Sequence, residues 1–271
     1  MEGIIHVFLI TITQLFQLLG VIFFFGFLLK WIGEQSLSHY KYGSKLFNFM
    51  SMIGTPVHEF GHFFMCKVFR YEVDHVVWYQ KPNIDGTLGY VNFSYNPTSI
   101  YQRVGKFFVG IGPLFSGPFV IFVLLYLLLP DAYHAIDDQI GATAPVWRIE
   151  TMQQILHLSW TFVVALFNVE HALSIQFYIF LVLSCSIAVH IRLSKPDLES
   201  ASSGIVAITI LLFFFNCISQ FLHLPLSRFV MHGVAYFNAF YISIMIVITV
   251  ISLLFYMISI IWGIMKNRTT A

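Results

Sequence analysis

The chain has 271 residues, of which 58% are hydrophobic and only 10% charged, with a formal net charge of +1. A soluble globular domain carries roughly a quarter of its residues as charged groups, so that class is excluded. With no long basic run, a nucleic-acid partner has no support either. The composition is that of an all-α polytopic membrane protein whose solvent is the lipid bilayer.

Apolar windows of about 20 residues, the length that crosses a bilayer, recur near residues 4–29, 46–69, 107–129, 174–191, 205–224 and 240–264. Six transmembrane helices are expected. The first window lacks a positive leader and is too long for a cleavable signal, so it is read as a retained helix. A further apolar run, 160–167, is separated from the fourth window by Asn168, Glu170 and His171. It is too short to cross alone and is expected to be interfacial or re-entrant. Cys66, Cys185 and Cys217 offer neither a disulfide framework nor a Cys-x-x-Cys site.

Between the second and third windows, residues 73–79 and 88–95 are rich in β-branched and aromatic side chains, with Pro82, Asn83, Asp85 and Gly86 between them as turn formers. A small membrane-associated β-hairpin is expected there, beside the cytoplasmic mouth of the second helix. It serves either to cap the bundle or to lend a free edge to an extended peptide. Lys67, Arg70, Lys81, Arg103, Lys106, Arg192, Lys195, Lys266 and Arg268 are assigned to one side, and the loop with Asp131, Asp137, Asp138 and Glu150 to the other. The positive-inside rule then gives an outer N-terminus and a cytoplasmic C-terminus.

Within the second window stands His58-Glu59-Phe60-Gly61-His62. On a helix, residues at i and i+4 share a face, so His58 and His62 can address one metal ion. Glu59 falls on the adjoining edge, where it can act on a metal-held water without being a ligand. Ionisable groups at membrane depth are costly and mark function by default. A catalytic zinc takes three protein ligands and keeps one position open. His75, Asp85, His190, Asp197 and Glu199 are the candidates for the third. Asp197 is preferred, because Pro196-Asp197 can hold a carboxylate at a helix boundary pointing into the bundle. Glu199 and His190 are its rivals, and a plain helix-capping role is the alternative for Asp197 itself.

Pro56 is expected to kink or restart the second helix just before His58. In the third window Gly112-Pro113 and Gly117-Pro118 interrupt the helix. Either small residues pack helices closely there, or Gly112, Pro113 and Ser116 hold an unwound substrate segment.

In this order of elements the sequence resembles the site-2 protease family of intramembrane zinc metalloproteases. That family has a His-Glu-x-x-His transmembrane helix, a membrane-associated β element, a Gly-Pro-broken helix and a later helix bearing an Asp ligand. Here His58-Glu59-Phe60-Gly61-His62, the hairpin, Gly112-Pro113 and Asp197 correspond, over residues 46–204. The family usually sets its Asp before Gly, where this chain has Leu198, and an Asn after the Gly-Pro break, where this chain has Ser116.

The resemblance implies one Zn2+ per chain on His58, His62 and Asp197, Glu59 as catalytic base, a membrane-protein substrate, and a bacterial plasma membrane with the site open to the cytoplasm. Three regions follow: an N-terminal helix and outer loop (1–45), the protease-like core (46–204), and two accessory helices (205–271). Residues 130–161 are too few for a PDZ domain of the kind some members carry. The alternative from another class is a non-proteolytic zinc-binding scaffold or regulator on the same fold, which has no need of a general base. A transporter is disfavoured, since no internal repeat is visible.

Overall fold

The computed structural model describes residues 2–38, 44–82, 86–134 and 149–269. The long helices are α1 (Glu2–Ser38), α2 (Lys45–Val68), α8 (Lys195–Phe221) and α9 (Leu226–Thr269). Between them lie strands β1 (Glu72–Val77) and β2 (Tyr90–Ser94), then α3 (Ile100–Ile111), α4 (Pro113–Leu128), α5 (Ile149–Leu166), the short α6 (Val169–Ala172) and α7 (Ile175–Ala188). Serine hydroxyls start several of these helices. Ser44, Ser99, Ser174 and Ser194 each accept a hydrogen bond from the backbone N–H three residues on, satisfying a donor that has no partner within the helix.

α9 runs parallel to α1, with Asn238 Nδ2 donating to the Gln17 carbonyl (2.8 Å) at one end and Trp31 against Tyr256 at the other. α8 is antiparallel to α1: Asn216 meets Thr11 and Gln14, whereas Leu193, just before α8, packs at Gly26. Ile22, Leu29, Phe107, Leu114, Phe180 and Ile248 belong to the shared core. The outer faces are apolar too, with Phe16 and Phe229 each 78% exposed, as lipid rather than water demands.

Among the described residues three helices are long and apolar enough to cross a membrane: Ile4–Ser38, Lys195–Phe221 and Leu226–Met265. α3 and α4 form a fourth if the pair, bent by 56° at Gly112, counts as one broken span. The chain is therefore a helical membrane protein with a two-stranded sheet, and the expected six spans are reduced to three or four. α2 has the length, but His58, Glu59 and His62 lower its hydropathy. α7, at 14 residues, covers about 21 Å at 1.5 Å per residue, short of a ~30 Å hydrocarbon core. Six crossings, like four, would also return both termini to one side, so opposed termini do not follow from such a count. The 160–167 run is not a separate piece: most of it completes α5, whose Phe162 and Leu166 enter the core.

The Gly112-Pro113 break is present, and the break fits the physics of the sequence, because Pro113 opens α4 where its missing N–H costs no hydrogen bond. Pro56, by contrast, sits inside a continuous α2, which does not restart there. The hairpin is antiparallel, with a register shift between Val73 and His75. It starts four residues after α2 ends. It folds back along the helix, so that Trp78 stacks edge-on to Phe63 and the Tyr79 hydroxyl reaches the Asn48 carbonyl at 3.4 Å.

Candidate metal centre

His58 and His62 are one turn apart on α2, and their Nε2 atoms stand 3.3 Å from each other. Asp197 arrives from the first turn of α8, with Oδ1 3.2 Å from His62 Nε2 and Oδ2 3.8 Å from His58 Nε2. His62 and Asp197 are each 8% exposed. Tetrahedral ligands about 2.0–2.1 Å from a zinc ion stand about 3.4 Å apart, and the three separations bracket that spacing.

The hydrogen bonds behind the rings decide which nitrogen faces the centre. His58 Nδ1 lies 2.9 Å from the His190 carbonyl and His62 Nδ1 2.7 Å from the Val109 carbonyl. A carbonyl only accepts, so each Nδ1 carries a proton, which in a neutral ring leaves Nε2 its lone pair. With both rings neutral, two lone pairs and a carboxylate converge on one point, an arrangement that a cation held between them stabilises. Metal-ligating histidines are oriented by such partners as a rule. The donor set fits zinc.

The capping alternative is present as well: Asp197 takes part in the helix cap while its carboxylate faces the two histidines. Its Oδ2 accepts the Ser194 N–H at 2.7 Å while the Ser194 hydroxyl accepts the Asp197 N–H at 3.3 Å, a reciprocal capping box. The helix start therefore fixes the carboxylate that faces the histidines. Gly110 lets α3 touch this turn: a Cβ there would stand 2.5 Å from the Asp197 carbonyl oxygen and 2.6 Å from the Ala201 nitrogen.

The rival ligands are placed elsewhere. The His190 ring is engaged by the Ser186 carbonyl (2.8 Å) and the Ser51 hydroxyl (3.2 Å), and His190 serves the centre only through its backbone carbonyl. Glu199 and His75 are exposed, and Asp85 lies outside the described residues. Gly112, Pro113 and Ser116 do not line the metal cavity. Gly61 and Gly112 instead allow α2 to touch the α3–α4 elbow, where a Cβ on Gly61 would come within 2.6 Å of the Gly112 backbone, and the Ser116 hydroxyl donates to the Val57 carbonyl at 2.8 Å.

A cavity of about 560 Å³ opens onto the histidines, Glu59 and Asp197. Glu59 is 6% exposed, and among the described residues no hydrogen bond engages its carboxylate. Gly89, just before β2, closes over it: a Cβ there would lie 2.8 Å from Thr55 Cγ2 and 2.9 Å from Glu59 Cγ. Arg192 and Ser200 also line the cavity.

Sequence reasoning missed the carbonyls of Val109 and His190, because a backbone acceptor leaves no mark on residue type. It also missed Gly89, whose signal was a lone glycine inside a strand-like run, a frequent sign of close backbone approach. No protein-family model, curated protein or solved structure matches the chain.

Proposed function

We propose that the protein is an intramembrane zinc metalloendopeptidase that hydrolyses peptide bonds in membrane-spanning substrate proteins, at the cytoplasmic side of a bacterial plasma membrane. The observation that carries this reading is the convergence of two histidine lone pairs and the Asp197 carboxylate beside an unengaged, buried Glu59. A purely structural metal site has no use for that glutamate. The order of elements shared with the site-2 protease family supports the same reading.

His58, His62 and Asp197 would hold the metal, with their ring orientation set by His190 and Val109 and their carboxylate by Ser194. Zinc in such a site supplies a Lewis acid for the scissile carbonyl and brings the pKa of water toward about 7. The Glu59 carboxylate takes the proton of the attacking water and delivers it to the leaving amine nitrogen. Its lack of other partners leaves both oxygens available for that transfer.

Among the described residues β2 pairs only with β1, and Tyr90, Val91 and Phe93 border the cavity. An unwound substrate segment laid along that strand gains main-chain hydrogen bonds that tolerate many sequences. Soluble peptides are poor candidates, because the site is walled by helices whose outer faces are apolar.

The test compares new N-termini of membrane proteins in cells expressing the wild type with those in cells expressing Glu59→Gln. Fragments that appear only with the wild type, cut within or beside a transmembrane segment, are expected. Identical fragment sets in the two, with Glu59→Gln still binding zinc, would move the protein to the scaffold class.

A further inference from the structure

The connector between α7 and α8 places one cation in the metal cavity. Ile191 (2% exposed) packs at Gly117 and Leu193 (0% exposed) at Gly26. The intervening Arg192 lines the wall of the cavity. Its backbone is fixed as well. The Arg192 N–H donates to the His190 carbonyl at 2.9 Å, the same oxygen that accepts from His58 Nδ1.

Arg192 is half-buried, yet among the described residues no carboxylate pairs with its guanidinium. Asp197 is committed to the histidines and Ser194, and Glu199 is exposed. Arg192 shares the cavity with His58 and His190. That position is unfavourable for a metal site, since a fixed positive charge opposes a second cation nearby. Among the described residues Glu59, the other carboxylate of the cavity, forms no ion pair with Arg192, so an anion that joins the arginine compensates it, and its planar fork matches a carboxylate.

We propose that Arg192 is a specificity-determining residue that binds a carboxylate of the substrate peptide lying in the metal cavity. The carboxylate is either an Asp or Glu side chain or a free C-terminus produced by an earlier cut. This assignment rests on the peptidase reading above. A preference for acidic segments would separate substrates from the many apolar transmembrane segments that the β2 edge alone would accept.

Three dipeptide hydroxamates with one apolar core test it, through their Kd for the zinc-loaded protein in detergent. One ends in a free carboxylate, one in an amide with an Asp side chain, and one in an amide with Asn. At least one carboxylate probe is expected to bind the wild type about tenfold tighter than the neutral Asn probe, as a charge-assisted hydrogen bond affords. Whichever of the two does so identifies the source. Arg192→Gln should erase that preference while leaving the Kd of the neutral probe within about twofold, and Arg192→Lys should retain part of it.

Equal binding of all three probes by the wild type would overturn the proposal. So would an unchanged preference in zinc-loaded Arg192→Gln, which would assign the arginine to lipid headgroups or solvent. Failure of every probe to bind the zinc-loaded wild type would instead strike the peptidase site itself, and the Arg192 assignment with it.

Discussion

Two buried polar clusters occupy opposite ends of this bundle, and they differ in how their hydrogen bonds close. At one end Asn216 Nδ2 donates to Thr11 Oγ1 (3.0 Å) and Gln14 Oε1 (2.8 Å), Gln14 reaches the Ser227 carbonyl, and Asn238 holds the Gln17 carbonyl. Each donor there meets an acceptor and ties α1, α8 and α9 together, while Gln17 Oε1, Asn216 Oδ1 and Asn238 Oδ1 are buried without a partner among the described residues. At the other end His58 and His62, as neutral rings, turn their Nε2 lone pairs toward each other and toward the Asp197 carboxylate. Burial of polar groups in a membrane bundle is thus not in itself a functional signal. The signal is a set of lone pairs aimed at one point and held there by a surrounding layer of hydrogen bonds, with a carboxylate left unengaged beside it.

The comparison breaks most visibly at Glu59. Glu59→Gln keeps the shape of the site and removes the proton acceptor, so cleavage of a reporter substrate should fall about 100- to 10,000-fold while zinc content stays near one per chain. A parallel loss of zinc would show that Glu59 is a ligand. Next in size is Gly110→Val, whose side chain must push against the backbone of Asp197 and Ala201. Zinc affinity measured by chelator competition should weaken about 10- to 100-fold, as for loss of other supporting contacts around a metal.

Ser194→Ala removes half of the capping box. It should cost about 1 kcal/mol in helix stability, with a small drop in zinc affinity and a wild-type-like fold by circular dichroism. The smallest effect belongs to the other cluster. Asn216→Leu should lower stability in detergent by about 0.6–1.7 kcal/mol and leave zinc affinity unchanged. A change in zinc affinity there would mean that the two ends are coupled.

The helix that carries His58, Glu59 and His62 was legible in the sequence, because these residues lie within one turn and their relation is local. Asp197 is more than 130 residues further along, yet the Ser194-Lys195-Pro196-Asp197 helix start marked it, since the residues that cap α8 also aim the carboxylate. The span count was less legible. Hydropathy windows register apolar content, and α2 and α7 carry enough of it to pass by eye. α2 nevertheless turns much of its surface inward, with Ser51, Thr55, Glu59 and His62 buried against protein. The hairpin was recognisable from its β-branched residues, but not its course along α2, which depends on contacts such as Trp78 with Phe63 and Gly89 with Glu59. Gly112 and Ser116 show the same limit: their residue types suited clamping and packing alike, and the close approach to Gly61 is a tertiary fact.

The most direct test is the zinc content of the detergent-purified protein, measured by elemental analysis for wild type, Asp197→Ala and Asn216→Leu. The account predicts about one zinc per chain in the wild type and in Asn216→Leu, and a clear loss in Asp197→Ala. A well-folded wild type without zinc, or an Asp197→Ala protein that binds it as tightly as the wild type, would contradict it.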